Sequence, residues 1–138
     1  MGMDFYLYQI EGNENMVGNI KNILYLSNAR ADIVGNWLCA NHDGQITYNN
    51  NVYIECHPDV FEDLYNHLKL VLNESDNRNE LAMFYLSPRL KVSNWCSGSE
   101  MFSESYYADL EGIKEALEKM FNENEFYFDT VFLYHIEL

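Results

Sequence analysis

Apolar residues repeat along this chain with the spacing of amphipathic helices in three segments. The clearest stripe lies between residues 60 and 72, where an apolar side chain recurs every three or four positions. A second stripe follows Ser27, and a third runs over residues 106–121, with Ser105 as its expected N-cap. We therefore predict three helices, and their stripes assign these residues to the core: Trp37, Leu64, Leu68, Leu110, Ile113 and Leu117.

Aromatic and aliphatic residues dominate both ends of the chain. Residues 4–10 and 126–136 are rich in Tyr, Phe and Leu, which predicts two strands lying side by side. Residues 16–26 and 81–86 fit either a strand or a helix, because apolar positions there alternate with Asn and Gly or are too few to show a period. The polar residues 41–51 are typical of a loop.

Strands at both ends with helices between them indicate an α+β fold. The chain has 138 residues, the length of one ordinary domain, and no repeat or low-complexity segment divides it. We expect residues 1–138 to form a single acidic α+β domain, with about three helices packed on a small, mainly antiparallel sheet. That sheet should contain the N- and C-terminal strands.

The chain is strongly acidic. Twenty-two Asp and Glu residues face eight Lys and Arg, for a formal net charge of −14. Such a surface repels nucleic acid and anionic membranes, and it attracts basic protein surfaces. On the third predicted helix, Glu111, Glu115 and Glu118 share the solvent-facing side. We predict that these three glutamates contact a basic protein partner, and we expect no direct binding to nucleic acid or membrane.

Three features of the sequence favour the cytoplasm. The longest apolar runs are far too short to span a bilayer. The N-terminus lacks the basic and apolar regions of a signal peptide. The three cysteines are odd in number and widely spaced, which is typical of a reducing compartment.

Cysteine and histidine residues raise the question of metal or catalytic chemistry. Cys39 and His42 have a spacing that zinc sites use, but Cys56 and His57 are adjacent, which is poor ligand geometry. A nucleophilic Cys96 would need His135 or His57 close in space as its base, and a third group to orient that base. We therefore expect no metal, no cofactor and no catalytic residues, and a protein that binds rather than an enzyme.

A cluster of aromatic residues offers a second kind of site. Trp95, Tyr106 and Tyr107 flank a Gly-Ser turn that includes Ser99, just before the third predicted helix. Aromatic rings can stack a nucleobase, and Arg30 could hold its phosphate. The alternative is that the rings belong to the core, as aromatic residues at helical spacing usually do.

Two segments carry a family resemblance. Residues 30–38 read Arg-Ala-Asp-Ile-Val-Gly-Asn-Trp-Leu, and residues 98–110 read Gly-Ser-Glu-Met-Phe-Ser-Glu-Ser-Tyr-Tyr-Ala-Asp-Leu. Both resemble motifs of a family of small proteins encoded by tailed phages and prophages. The family has a His where this chain has Gly35, so no role of that His carries over. The resemblance implies a phage origin, a strand-first α+β fold and a location in the host cytoplasm, with no assigned chemistry.

Charge and resemblance together suggest a protein that interferes with a host process, most naturally defence. In one hypothesis, carboxylates imitate the phosphate backbone and cover a basic, nucleic-acid-handling site on a host protein. In a second, an oligomer sequesters a nucleotide immune signal in the aromatic pocket. A third, an immunity protein that blocks a basic toxin nuclease, has the same electrostatics as the first.

Overall fold

The computed structural model describes most of the chain, namely residues 4–10, 20–41, 45–48, 51–73, 76–86, 103–126 and 130–136. These residues contain five strands and four helices in the order β1 (Asp4–Ile10), β2 (Ile20–Ser27), α1 (Asn28–Asn41), β3 (Gln45–Tyr48), β4 (Asn51–Cys56), α2 (Pro58–Asn73), α3 (Arg78–Leu86), α4 (Glu104–Glu123) and β5 (Val131–Ile136). The α+β class is confirmed.

The five strands form one antiparallel sheet in the order β2-β1-β5-β4-β3. The two terminal strands are neighbours, with Leu7 opposite Tyr134, so the prediction that they lie side by side is correct. Side chains alternate across the sheet. On β4, Ile54 and Cys56 are buried on the helix side, whereas Glu55 between them is exposed on the other side.

The helices cover one face of the sheet. Helix α1 packs on β1 and β2, and α4 also contacts β2. Helix α2 brings Phe61 against Phe132 of β5, with ring centroids 5.8 Å apart. All six residues predicted for the core are buried, from Trp37 on α1 to Leu117 on α4. The 3.6-residue stripes therefore identified the buried faces of α1, α2 and α4 correctly.

Several elements differ from the sequence-based expectation. The segment 16–26, which fitted either element, overlaps β2 in its described part, residues 20–26. The chain passes directly from this strand into α1 at Asn28, whose φ of 55° is one that Asn tolerates. Residues 78–86, part of which fitted either element, form α3. The expected loop at 41–51 is wrong in part, because β3 lies within it and pairs with β4.

The start of α4 also differs from the expectation. Its N-cap is Ser103 rather than Ser105, and the Ser103 hydroxyl accepts a hydrogen bond from the backbone N–H of Tyr106 at 3.1 Å. Ser105 lies inside the first turn. Three serine or glutamate residues in succession left the cap ambiguous, and the hydrogen bond to the third residue of the helix decides it.

Candidate functional site

Helix α4 carries the three glutamates predicted to contact a partner. Glu111 and Glu115 are exposed, and Glu118 is half-buried. A helix rises about 1.5 Å per residue, so the three carboxylates extend over roughly 10 Å along one side of α4. Glu111 and Glu115 therefore lie on the solvent-facing side of α4 as predicted, whereas Glu118 lies at the edge of that side.

The three glutamates differ in their contacts. Glu118 accepts a hydrogen bond from the Tyr65 hydroxyl of α2 at 2.9 Å, and this bond raises the pKa of Tyr65. Glu111 lies 3.5 Å from Lys114, measured from Oε1 to Nζ. Among the described residues Glu115 has no such contact. Glu115 is thus the most available of the three carboxylates for a partner.

A second set of carboxylates lies on α2 and was not among the predicted partner-binding residues. Asp59, Glu62 and Asp63 are exposed near the start of that helix. The sequence pattern could have predicted them, since these residues lie on the side of the helix opposite its apolar stripe. We define the acidic helical surface as these three residues together with Glu111, Glu115 and Glu118.

Helices α2 and α4 are neighbours that run in opposite directions. The Tyr65–Glu118 hydrogen bond joins the middle of α2 to the later part of α4. Just beyond the end of α2, Asn79 accepts a hydrogen bond from the hydroxyl of Tyr107, near the start of α4. The acidic side chains of the two helices therefore belong to one layer of the molecule.

Most described cations are held by contacts within the protein. The contacts are Lys21 with Asn124, Arg30 with Asp109, Lys69 over the Tyr65 ring, Arg78 over the Tyr107 ring, and Lys114 with Glu111. Lys119 is the one described Lys or Arg outside this set. The described part of the chain has six Lys and Arg residues against fifteen Asp and Glu residues, so negative charge is in excess there.

Helix dipoles account for some of these carboxylates and not for others. Asp59 and Glu104 lie in the first turns of α2 and α4, where negative charge is favourable. Glu115 and Glu118 lie well beyond that turn. The last turn of α4 has no basic residue and contains Glu123, the opposite of what the dipole favours. The acidity of α4 thus exceeds what stabilises the helix.

Of the five residues predicted for the alternative pocket, the three that the structure describes do not form an open aromatic site. Tyr106 and Tyr107 are each 5% exposed and belong to the core, with their rings 5.2 Å apart edge to face. Arg30 is exposed and pairs with Asp109. Trp95 and Ser99 lie outside the described residues. The nucleotide pocket therefore remains a prediction.

Tyr107 is surrounded by contacts that fix its ring. The Arg78 guanidinium lies over it, 3.7 Å from the centroid, and Asn79 accepts the hydrogen bond from its hydroxyl. Burial raises the pKa of Tyr107, although the neighbouring Arg78 acts in the opposite direction. A ring held in this way joins α4 to α3 and has no free face on which a base could stack.

The cysteine and histidine candidates differ in how exposed their side chains are. Burial, with Asp59 and Glu55 nearby, raises the pKa of the Cys56 thiol to about 12, so Cys56 is a poor metal ligand or nucleophile at neutral pH. The adjacent His57 ring lies 2.9 Å from the Thr130 carbonyl through Nδ1, which must donate because a carbonyl only accepts. Cys39 is exposed, while His42 and Cys96 lie outside the described residues.

No group of three or more potential metal ligands occurs among the residues that the structure describes. Within the same residues, no helix combines the length and apolar character that crossing a membrane requires. Comparisons of the chain with protein-family models, with curated proteins and with solved structures found no match.

Proposed function

We propose that this protein acts by binding, with the acidic helical surface covering a basic, nucleic-acid-handling site on a host protein. The observation that carries the proposal is the imbalance of available charge. Exposed carboxylates lie on two neighbouring helices, while five of the described cations are engaged in contacts within the chain. A partner with clustered Lys or Arg complements this surface.

The spacing of carboxylates on a helix suits such a role. Duplex DNA carries one negative charge per about 1.7 Å of axis, so a competitor must align several carboxylates on one face. Glu111, Glu115 and Glu118 provide one row on α4, and the α2 carboxylates lie toward its Glu118 end, because the helices are antiparallel and Tyr65 contacts Glu118. Attraction over this surface accelerates encounter with a basic partner more than it strengthens the final complex.

The biological setting of the proposal is phage counter-defence in the host cytoplasm, and the two motif resemblances support it. An immunity protein against a basic toxin nuclease would use the same electrostatics. The identity of the captured partner separates the two settings, because one partner is a host defence protein and the other is a toxin. Neither setting requires a cofactor or a catalytic residue.

The proposal is tested by capturing partners from host lysate with three forms of the protein. Glu115→Lys reverses one charge on the acidic helical surface, and Glu55→Lys makes the same change on the opposite side of the sheet. We expect wild type and Glu55→Lys to retain the same nucleic-acid-binding protein, Glu115→Lys to retain much less of it, and short duplex DNA to release it.

Two outcomes of the capture experiment count against the proposal. Equal losses with Glu115→Lys and Glu55→Lys would mean that net charge alone, rather than this surface, governs capture. A nucleotide retained by the protein, with no protein partner, would favour the sponge hypothesis instead. Small molecules eluted from the captured protein are therefore analysed in parallel with the proteins.

A further inference from the structure

Helix α3 leaves two large apolar side chains on its outer face. Ala82 and Leu86 are buried against the rest of the fold, whereas Phe84 is 74% exposed and Met83 is 42% exposed. Isolated apolar residues are common on protein surfaces, but adjacent ones beside a concavity are typical of a contact surface. The packing of α3 within the fold does not account for these two side chains.

A shallow groove of about 600 Å³ lies beside them, lined by Asn79, Glu80, Met83 and Phe84. We call it the α3 groove. Phe84 supplies a flat apolar wall, and the unbranched Met83 side chain adapts to the shape of an occupant. Glu80 adds one carboxylate to the lining. The groove thus combines an apolar anchor point with negative charge at its edge.

Contacts with neighbouring elements hold the walls of the groove. Phe84 meets Tyr85 edge to face at 4.8 Å between ring centroids, and Tyr85 packs on His67 of α2 at 4.7 Å. On the other side, the hydroxyl of Tyr107 donates a hydrogen bond to Asn79. These contacts fix the α3 backbone and the Asn79 wall, so ordering on binding is confined to the exposed Met83 and Phe84 side chains.

Charge decides what kind of occupant fits. Glu80 lines the groove and Asp76 is exposed just before α3. The cation nearest in the described sequence is Arg78, whose guanidinium lies over the Tyr107 ring. A second copy of this chain carries the same net charge of −14 and would be repelled. An apolar side chain flanked by Lys or Arg complements the groove.

We propose that the α3 groove is a docking site for a basic protein segment that packs an apolar side chain against Met83 and Phe84. This inference rests on the proposed function, because it takes the partner to be a basic protein. It adds the anchor that the carboxylates cannot supply. Exposed ion pairs contribute little affinity, whereas a few well-packed, desolvated side chains carry most of the affinity of protein interfaces.

The test uses a fluorescein-labelled helical peptide of about 14 residues, with leucine at helical spacing and lysine elsewhere. A matched peptide has serine in place of leucine and the same charge. Binding to the full chain is measured by fluorescence anisotropy. We expect the leucine peptide to bind at least about tenfold more tightly than the serine peptide, since only the former offers an apolar anchor.

Three variants of the groove lining and one control variant locate the binding. Phe84→Ser removes the exposed anchor, and we expect it to weaken binding of the leucine peptide by about tenfold. Glu80→Gln should weaken it by roughly twofold to fivefold. Leu70→Ser is the control, because Leu70 is 48% exposed on α2 and does not line the groove. Circular dichroism checks that each variant is folded, and Met83→Ser provides a second test of the anchor.

Several results would overturn this inference. They are no binding of the leucine peptide to wild type, equal affinity for both peptides, or equal losses with Phe84→Ser and Leu70→Ser. A change in the sedimentation coefficient of the protein alone with Phe84→Ser would instead assign the groove to a second copy. If peptide binding fails but Glu115→Lys still reduces capture from lysate, the proposed function stands without the groove. If peptide binding succeeds but Glu115→Lys does not reduce capture, only the groove stands.

Discussion

Arg30 of α1 and Asp109 of α4 form an ion pair, with Nε 3.2 Å from Oδ1, that joins these two helices. The Arg30 guanidinium crosses α4 at Gly112, where a Cβ atom would collide with it. The Arg30 side chain is nevertheless exposed and free to move aside. The ion pair thus places residues 30–38 next to residues 103–110, the described part of the second motif.

Substitution of Gly112 by alanine tests how much this pair contributes. Alanine in a helix is favoured over glycine by about 1 kcal/mol, and an exposed ion pair contributes about 0–1 kcal/mol. We expect Gly112→Ala to change the free energy of unfolding by less than about 1 kcal/mol while it eliminates the coupling between Arg30 and Asp109 in a double-mutant cycle. Destabilisation by about 3 kcal/mol or more would show that Arg30 cannot move aside.

Truncation of core residues tests the helix packing. Leu64 of α2 and Ile113 of α4 are almost fully buried, so Leu64→Ala and Ile113→Ala should each lower the free energy of unfolding by about 2–5 kcal/mol. Leu70→Ala, at an exposed position of α2, should cost about 0.5 kcal/mol or less. Chemical denaturation measures all three. Equal costs at buried and exposed positions would contradict the assigned faces.

The apolar stripes predicted the buried helix faces correctly because burial of one face requires apolar residues at a fixed period, and α2 and α4 keep that period. Strand β3 was missed because its four residues include Gln45 and Thr47, and its pairing with β4 stabilises it rather than its own composition. The glutamates on α4 could be assigned to a face, but the Tyr65–Glu118 hydrogen bond depends on contact between helices distant in sequence. The exposure of Phe84 likewise could not be predicted from the sequence, because it depends on how α3 packs on the rest of the fold.

The high density of negative charge should make stability depend on salt. Self-repulsion destabilises the compact state, and salt screens exposed charges within about 8–10 Å at ordinary ionic strength. We expect the melting temperature to rise by a few degrees between about 20 mM and about 300 mM NaCl. The rise should be smaller in Glu62→Lys/Glu115→Lys, whose net charge is −10 because each change adds two to −14. A flat or falling melting temperature in wild type would contradict this account.

Cys56 should make stability fall at alkaline pH. Its pKa is about 12 in the folded protein and about 9 when exposed, so the folded state retains the thiol proton more strongly. The corresponding stability is fully present below about pH 9 and declines as the pH rises toward 12, by up to about 1 kcal/mol per pH unit. Denaturation series at several pH values should show a weaker decline in Cys56→Ala.

A thiol reagent checks the same group independently. In a Cys39→Ser/Cys96→Ser background, Cys56 should react with a disulfide reagent at pH 8 only after denaturant is added, since the thiol is buried. Rapid reaction of the native protein would show that Cys56 is accessible and would remove the basis for the alkaline prediction.

The association rate between this protein and the host protein that it captures tests the central claim most directly. It is measured by stopped flow at about 50 mM and about 500 mM NaCl for wild type, Glu115→Lys and Glu55→Lys. We predict that high salt slows wild type by roughly an order of magnitude, and that Glu115→Lys is slower than Glu55→Lys at low salt. Rates that do not change with salt, or that fall equally in both variants, would contradict recognition through the acidic helical surface.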